Sequence, residues 1–488
     1  MNLPALAQIR RIARSGDTVR AWRMFDAAGL LASDDREALS LKGRLLKDRA
    51  LRSDGGERSL LLAEAQAAYM QAADGRRATY PLINAATLAF LNDRPDEAGM
   101  LARQILALLE SGAHEQETRY WLAATAAEAH LLLGDHAASQ AALAQAMAAA
   151  PEAWEDHAAT LRQFSQILVR QNLSPALLDH LRPPPSLYFS GIIGLPDDEG
   201  EAREQIGALL DDIRPGALFG ALAAGADILI AEMALERGAQ LHVVLPIPLA
   251  SFRETSVLPF GNRWLDRFHR LVEAADYLDV DDGVSHLSDA AVTKAAEIAM
   301  GLALRRAEAF ATQAHALHVG RTPDTSSPAH RLWQARGLPF HALTLAQSTP
   351  PPGSPLAAAG NAAILASTQP FPDAGHGREA SQTASGIHVL ALADIVAAMR
   401  LAGTMLRTVP DIGLSLEYRT RETGVPIDGD DGLAPLLARA APAGSICAPW
   451  PQAAALDLHD PAFRFEMAGE VMTAYGDCPV GHYYPPSD

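Results

Sequence analysis

Between Trp121 and Glu152, in WLAATAAEAHLLLGDHAASQAALAQAMAAAPE, the residues Ala127, Gly134, Ser139, Leu143, Ala146 and Pro151 carry a spacing that fits a helical hairpin. Two helices that cross closely need small side chains at the crossing. The turn between them needs a glycine, and a proline cannot continue the second helix. The spacing recurs near the start as Gly16, Ala21, Phe25 and Ala28, and in the middle as Ala86, Asp93, Ala98, Ala102 and Ile105. A looser unit uses Gly43, Ala65, Tyr69 and Ala72, with a longer turn across SDGGERS. A single hairpin of this kind cannot bury its apolar face, so three or four must stack. Residues 1–182 are therefore predicted to form an all-α repeat scaffold.

These offsets match the tetratricopeptide pattern, and the resemblance implies a protein partner. Any Ala-rich helical region produces one such coincidence, but recurrence with turn and proline signals favours the repeat. Trp22, Trp121 and Trp154 could mark a peptide groove, although large residues at helical spacing more often belong to a core.

The rest of the chain requires further domains, because 488 residues exceed one ordinary domain. A composition that is 49% hydrophobic and 20% charged is that of a globular protein. The 40 Lys and Arg against 58 Asp and Glu leave a net charge of -18, which opposes nucleic acid and anionic lipid as partners. Cys447 and Cys478 are too few for a disulfide framework or a four-ligand zinc site. The opening MNLPALAQIRRIARSG has no uninterrupted apolar stretch of the export type, and the most apolar runs carry acids well short of the roughly 20 apolar residues of a span. The expected location is the cytoplasm.

The run LRPPPSL, with Pro183, Pro184 and Pro185, breaks the helical region. Strand and helix signals then alternate over 183–346: the strand SLYFSGIIG, the helix EGEAREQIGALLDDI, a helix ALFGALAAGADILIAEMALERG, the strand AQLHVVLPIP, two further helices, and strands at ALHVG and FHALTL around the helix SPAHRLWQARG. Such alternation implies a Rossmann-like parallel sheet, with a ligand crevice at the carboxyl ends of its strands. The glycine turn Pro215-Gly216 ahead of a helix would suit a phosphate. Gly191 would admit a ligand to the end of the first strand, and Asp227 or Glu232 could accept from ribose hydroxyls. Packing by Gly220 and Gly225, with two solvated acids, explains the same residues equally well. His315 and His318, placed on a helix end, lack a third metal ligand.

The stretch GALAAGADILIAEMALERGAQLHVVLPIPLASFRETSV resembles a Rossmann-type domain of bacterial tetratricopeptide proteins, within the wider group of the LOG enzymes and DprA. GRLLKD and YPLINAATLAFL resemble the TRAF-binding segment of mitogen-activated kinase kinase kinases. The resemblance covers about residues 20–345 and implies a bound nucleotide or derivative at Gly191, Gly216, Gly225, Asp227 and Glu232, with Gly220 beside them. The glycine loop PGGxGTxxE is absent, and HVGRTPDTSSPAH stands where a second glycine turn would be, a departure that weighs against hydrolase activity.

Residues 347–385, rich in Pro, Gly, Ser and Ala, are predicted to be a flexible linker. From Gly386 to the end the order of signals suggests a small α+β, ferredoxin-like domain that resembles a worn class III nucleotide cyclase. HVLALADIV matches the family's first strand, which makes Asp394 the remnant metal ligand. The second carboxylate that two-metal chemistry needs has no counterpart, and Pro435 stands four before Arg439 where the family has an amide donor. A catalytically inactive domain that could support a homodimer follows from the resemblance.

Together these features predict a bacterial-type cytosolic signalling scaffold: helical repeats for protein partners, a nucleotide-sensing Rossmann-like domain that requires no cofactor, and an inactive cyclase-like domain. The alternatives are a nucleoside-derivative hydrolase with Glu232 as acid/base, and an interaction scaffold with no ligand.

Overall fold

A computed structural model describes residues 3–14, 16–73, 77–322, 327–348, 356, 358–372, 381–422 and 432–485. The chain divides into two compact units, Met1–Pro183 and Pro184–Asp488.

The first unit is helical. Its elements are α1 (Leu3–Arg14), α2 (Thr18–Ala27), α3 (Arg36–Ala50), α4 (Gly55–Ala73), α5 (Thr79–Leu91), α6 (Pro95–Glu110), α7 (Arg119–Leu132), α8 (His136–Ala149) and α9 (Trp154–Arg170). Ala21, Phe25, Ala86, Ala98, Ala102, Ile105, Ala127, Leu143 and Ala146 are all buried where helices pack. The turn position filled by Asp93 in one hairpin and Gly134 in the next has φ of 58° and 76°, so both residues supply a left-handed turn. Ser139 closes its hairpin by donating to the Ala127 carbonyl at 2.8 Å. At Gly43 a Cβ would lie 2.7 Å from the Tyr69 ring, which is why α3 presents no side chain there. The expected long turn at SDGGERS is short, because α4 already begins at Gly55.

Alternate helices also share a buried polar chain. Lys47 of α3 donates to Asn84 of α5 at 3.2 Å and to Gln163 of α9 at 3.0 Å, Gln163 donates to Glu128 of α7 at 2.5 Å, and Thr87 donates to the same carboxyl. Burial raises the Glu128 carboxyl above its ordinary range. Trp22 is stacked on Phe25 under the Arg49 guanidinium, Trp121 stands edge-on to Tyr120, and Trp154 stands edge-on to His157 at the surface.

The second unit holds two sheets. The first is a six-stranded, all-parallel sheet of β1 (Ser186–Gly191), β2 (Ala217–Gly220), β3 (Gln240–Leu245), β4 (Tyr277–Val280), β5 (Ala314–Gly320) and β6 (Phe340–Thr344), in the order β4-β3-β2-β1-β5-β6. The chain winds outward from β1 to β4, then returns to the other side of β1. Leu187 and Phe189 face a core under α10 (Gly200–Ile213), α11 (Ala226–Leu235) and α13 (Asn262–Ala274). Tyr188, Ala217 and Phe219 face α14 (Asp289–Ala309) and α15 (Pro328–Ala335). Burial on both faces explains the unbroken apolar run of β1.

One expected helix is corrected here. ALFG, expected as the start of a helix, is strand β2, and the helix begins nine residues after Ala217, at Ala226. All four residues of β2 are buried between β1 and β3, and that environment overrides helix propensity.

The second sheet is mixed and seven-stranded: β7 (Ala359–Ser367), β8 (Ser381–Gln382), β9 (His388–Leu392), β10 (Gly413–Glu422), β11 (Ser445–Pro449), β12 (Glu466–Thr473) and β13 (Gly476–Tyr483), in the order β12-β13-β11-β10-β7-β9-β8. The segment expected to be a linker thus supplies β7, an interior strand antiparallel to both β9 and β10. Its run AAILAS was masked by the surrounding Pro, Gly and Ser; the remainder of that segment at 349–355, 357 and 373–380 lies outside the described residues. β10 and β11 pair in parallel, unlike neighbours in a ferredoxin-like sheet.

The two sheets share one compact unit and pack on each other. Helix α14 packs on β1, β2 and β3 with one face and against α18 (Trp450–His459) with another. Arg305 of α14 reaches Asp457 at 3.2 Å and the Phe465 carbonyl at 2.9 Å, and Glu297 accepts from Tyr418 at 3.0 Å, with His459 at 3.1 Å.

Candidate functional site

Because the chain turns back beside β1, the loops that follow β1 and β5 diverge at the carboxyl edge of the sheet, where open α/β folds hold ligands. The first of these loops is self-bonded. Ile192 accepts from the Ala226 amide at 3.1 Å, Gly194 donates to Ala224 at 2.7 Å, and Ile193 bridges to Gly225. Gly225 has φ of 132°, and a Cβ there would lie 2.5 Å from the Ile192 oxygen. At Gly191 a Cβ would lie 2.4 Å from that of Ala226. These glycines let the end of β1 lie across the start of α11. After β6, Gln347 donates to Ile193 at 2.7 Å and Ser348 to Gly194 at 3.0 Å.

Asp227, in the first turn of α11, is buried at this junction. One carboxyl oxygen accepts from the Ala223 amide at 3.3 Å; the other makes no full hydrogen bond, although the Gly191 amide is near enough to favour the charged form. Burial drives its pKa up to about 8 against the opposing pull of the Ala223 and Gly191 amides, so it is largely protonated at neutral pH.

The other expected site residues scatter. Gly220, at the end of β2, packs against the Phe189 carbonyl, where a Cβ would lie 2.5 Å from the oxygen. Gly216 precedes β2 and so sits at the amino edge, the opposite end from the crevice, against Pro184. The phosphate seat expected after Pro215-Gly216 is therefore not formed there.

Glu232 points away from Asp227, being five residues along α11 and roughly 140° around it. It pairs with Arg267 of α13 at 2.6 Å, and Arg267 also holds Glu199 at 2.6 Å. A carboxylate held in this way ties α11 to α13 and is not an available acid/base. Glu232→Gln is expected to cost about 1 kcal/mol in urea unfolding. An unchanged urea midpoint would reverse that assignment.

Asp394 caps α16 (Ile395–Thr408), accepting from the Ala397 amide at 2.5 Å. A metal would have to compete with that cap, and the described residues contain no group of three or more His, Cys, Asp or Glu able to hold an ion. Pro435 lies within the short α17 (Leu433–Ala438), and Arg439 donates to the Ser385 carbonyl at 3.3 Å. Cys447 is buried and Cys478 half-buried; burial pushes both thiols up, to about 12 and about 11.

A group not anticipated lies on the opposite face of β1. Ser190 Oγ is 3.0 Å from His318 Nδ1 on β5 and 3.4 Å from His330 Nε2 on α15. The two rings stand 4.6 Å apart, with Tyr188 and Phe340 against His330. Burial lowers both imidazoles, that of His330 to about 4 with help from the neighbouring His318, so both are neutral at pH 7. His330 is 4% exposed, and its Nδ1 has no partner. His315 and His318 were assigned to a helix end, but in strand β5 their odd spacing sends them to opposite faces, and His315 stacks instead on His341. Strand periodicity applied to SLYFSG and AHALHVG would have put Ser190 and His318 in strands, but only the sheet order makes those strands neighbours. Nothing in the sequence indicates that His330 joins them.

Comparison with known proteins adds to the first unit alone. The profile of the Tetratricopeptide Repeats-Sensor family, TPR-S, matches residues 2–89. No curated protein matches the chain. Among solved structures, a mutant O-GlcNAc transferase of Thermobaculum terrenum aligns over 71% of this chain and 74% of its own, at 13% identity, with a TM-score of 0.18. That score is too low to carry an inference. No helix among the described residues is long and apolar enough to cross a membrane.

Proposed function

We propose that the protein is a ligand-responsive scaffold. In this reading the helical repeats hold a protein partner, and a nucleotide or nucleotide derivative binds at the carboxyl edge of β1, β2 and β5. The repeat match supports the first part, because stacked hairpins of this type build extended docking surfaces.

The observation that carries the second part is Asp227. A buried carboxyl with one oxygen unpartnered leaves an unmet hydrogen bond, costing about 1–3 kcal/mol until something supplies a partner. It stands at the chain reversal of a parallel sheet, where a ribose hydroxyl or a base nitrogen would complete it. The neutral carboxyl can donate as well as accept, which suits such groups better than a phosphate. The mixed sheet has a packing role in this reading, since Asp394 caps a helix.

The test is calorimetry and thermal shift of the full chain with ATP, cyclic nucleotides and NAD derivatives. A ligand at 100 times its Kd should add about 2.7 kcal/mol of stability. Asp227→Ala should weaken that binding at least tenfold. If none of these compounds binds, or if Asp227→Ala binds as the wild type does, the ligand assignment is wrong and the protein is a scaffold alone.

A further inference from the structure

We propose that Ser190 is a nucleophile, with His318 as its base and His330 as its positioning residue, acting on a phosphate ester held at the carboxyl edge of β1 and β5.

The three residues come from three elements, β1, β5 and α15, and converge on one hydroxyl. With a neutral His330 donating from Nε2 to Ser190 Oγ, Ser190 donates its own proton to His318 Nδ1. His330 Nδ1 is buried without a partner in either tautomer. A hydroxyl that accepts from one imidazole and donates to another within hydrogen-bond distance is set for proton removal. The Tyr188 phenol also adjoins Ser190, and its pKa is pushed well above the ordinary value by burial, so it adds no negative charge there.

Packing alone does not account for this group. Ser190 and His318 are only half-buried, one residue short of the strand end in β1 and two short of it in β5. Gly320 follows His318 on β5, where a Cβ would lie 3.3 Å from His318 Nε2, and Arg321 stands exposed next to it. The position thus offers a hydroxyl and a base near the carboxyl ends of two adjoining strands.

The step balances without an external oxidant or reductant. Ser190 Oγ bonds to phosphorus as its proton passes to His318 Nδ1. The bond from phosphorus to the departing alcohol breaks, and that oxygen takes the proton from His318. Water, activated in turn by His318, then cleaves the seryl phosphate and restores the hydroxyl. The choice of a phosphate ester rests on the nucleotide reading above; the nucleophile itself does not.

The experiment is labelling of the full chain with a fluorophosphonate, which loses fluoride on attack by an activated serine, with the site mapped by mass spectrometry. Stoichiometric labelling at Ser190 is expected, abolished in Ser190→Ala and slowed at least 100-fold in His318→Gln. The wild-type rate should be flat from pH 8 to 7 and fall only below about pH 6.5, the ordinary histidine value, because burial lowers the imidazole. Should His318→Gln melt early, that pH profile decides in its place. No label on Ser190, or a rate indifferent to both pH and His318, overturns the proposal. Calorimetry with nucleotides on Ser190→Ala separates the two readings: binding without wild-type labelling removes the nucleophile and keeps the crevice. Labelling without nucleotide binding keeps the nucleophile and overturns the phosphate ester as its substrate.

Discussion

Gly301→Val should lower the melting temperature by roughly 6–12 °C, corresponding to about 3 kcal/mol or more. Gly301 lies in α14 where that helix meets α18, and a Cβ there would stand 2.2 Å from the Ala454 oxygen and 2.4 Å from its carbonyl carbon. The obstacle is backbone, which cannot swing aside as the tip of a side chain can. The two helices would have to separate, loosening the Arg305 contacts to Asp457 and Phe465 and the link from Glu297 to Tyr418 and His459. The control is Gly403→Ala in α16, where the new methyl meets only Arg407 at 3.6 Å; it should gain up to about 1 kcal/mol of helix propensity. Thermal unfolding of both variants decides. If Gly301→Val melts with the wild type, the two sheets are not joined through this contact.

The second large effect is pH-dependent. Asp227 has a folded pKa of about 8, against about 3.9 in an unfolded chain. Between those values the native protein holds a proton that the unfolded chain has released, so native stability falls as pH rises from about 4 to about 8. Each unit is worth on the order of 1.4 kcal/mol, and the full span amounts to several kcal/mol. Asp227→Asn removes the ionisation while keeping the shape and one acceptor. Its advantage over wild type should be small at pH 5 and largest at pH 8, as read from urea midpoints at three pH values. Asp279, raised by burial to about 6, acts with the same sign but is present in both proteins and cancels. An advantage that does not grow with pH would mean that the Asp227 carboxyl is ionised in the native state.

The legibility of this chain in its sequence divides by the range of the interactions involved. The hairpins of the first unit were readable because their signals are local: a left-handed turn at Asp93 or Gly134, and small residues a helical turn or two apart. Strands β1, β3, β5 and β6 showed as apolar runs between breakers. β2 did not, because four residues of ALFG become a strand only through burial between β1 and β3, and β7 did not, because its neighbours come later in the chain.

The same division holds at the site. Gly191, expected at the end of the first strand, lies there, and Gly225 and Asp227, expected beside it as ligand residues, stand at the start of the adjoining helix. Gly216 and Glu232 satisfied the same local criteria and lie elsewhere, one at the amino edge and one between α11 and α13. Ser190 and His330 are 140 positions apart in the chain, and only the return of the chain to β1 brings them together.

The interior position of β7 also bears on how the protein is made. As the ribosome releases Ala359–Ser367, neither β9 nor β10 has yet emerged, and five successive residues of that strand, all buried in the end, wait as an unpaired apolar segment. Synthesis at roughly 5–20 residues per second leaves it exposed for seconds until β10 is available. During that interval the nascent chain is open to mispairing with other copies of itself, a hazard that belongs to biogenesis and leaves no trace in the finished molecule.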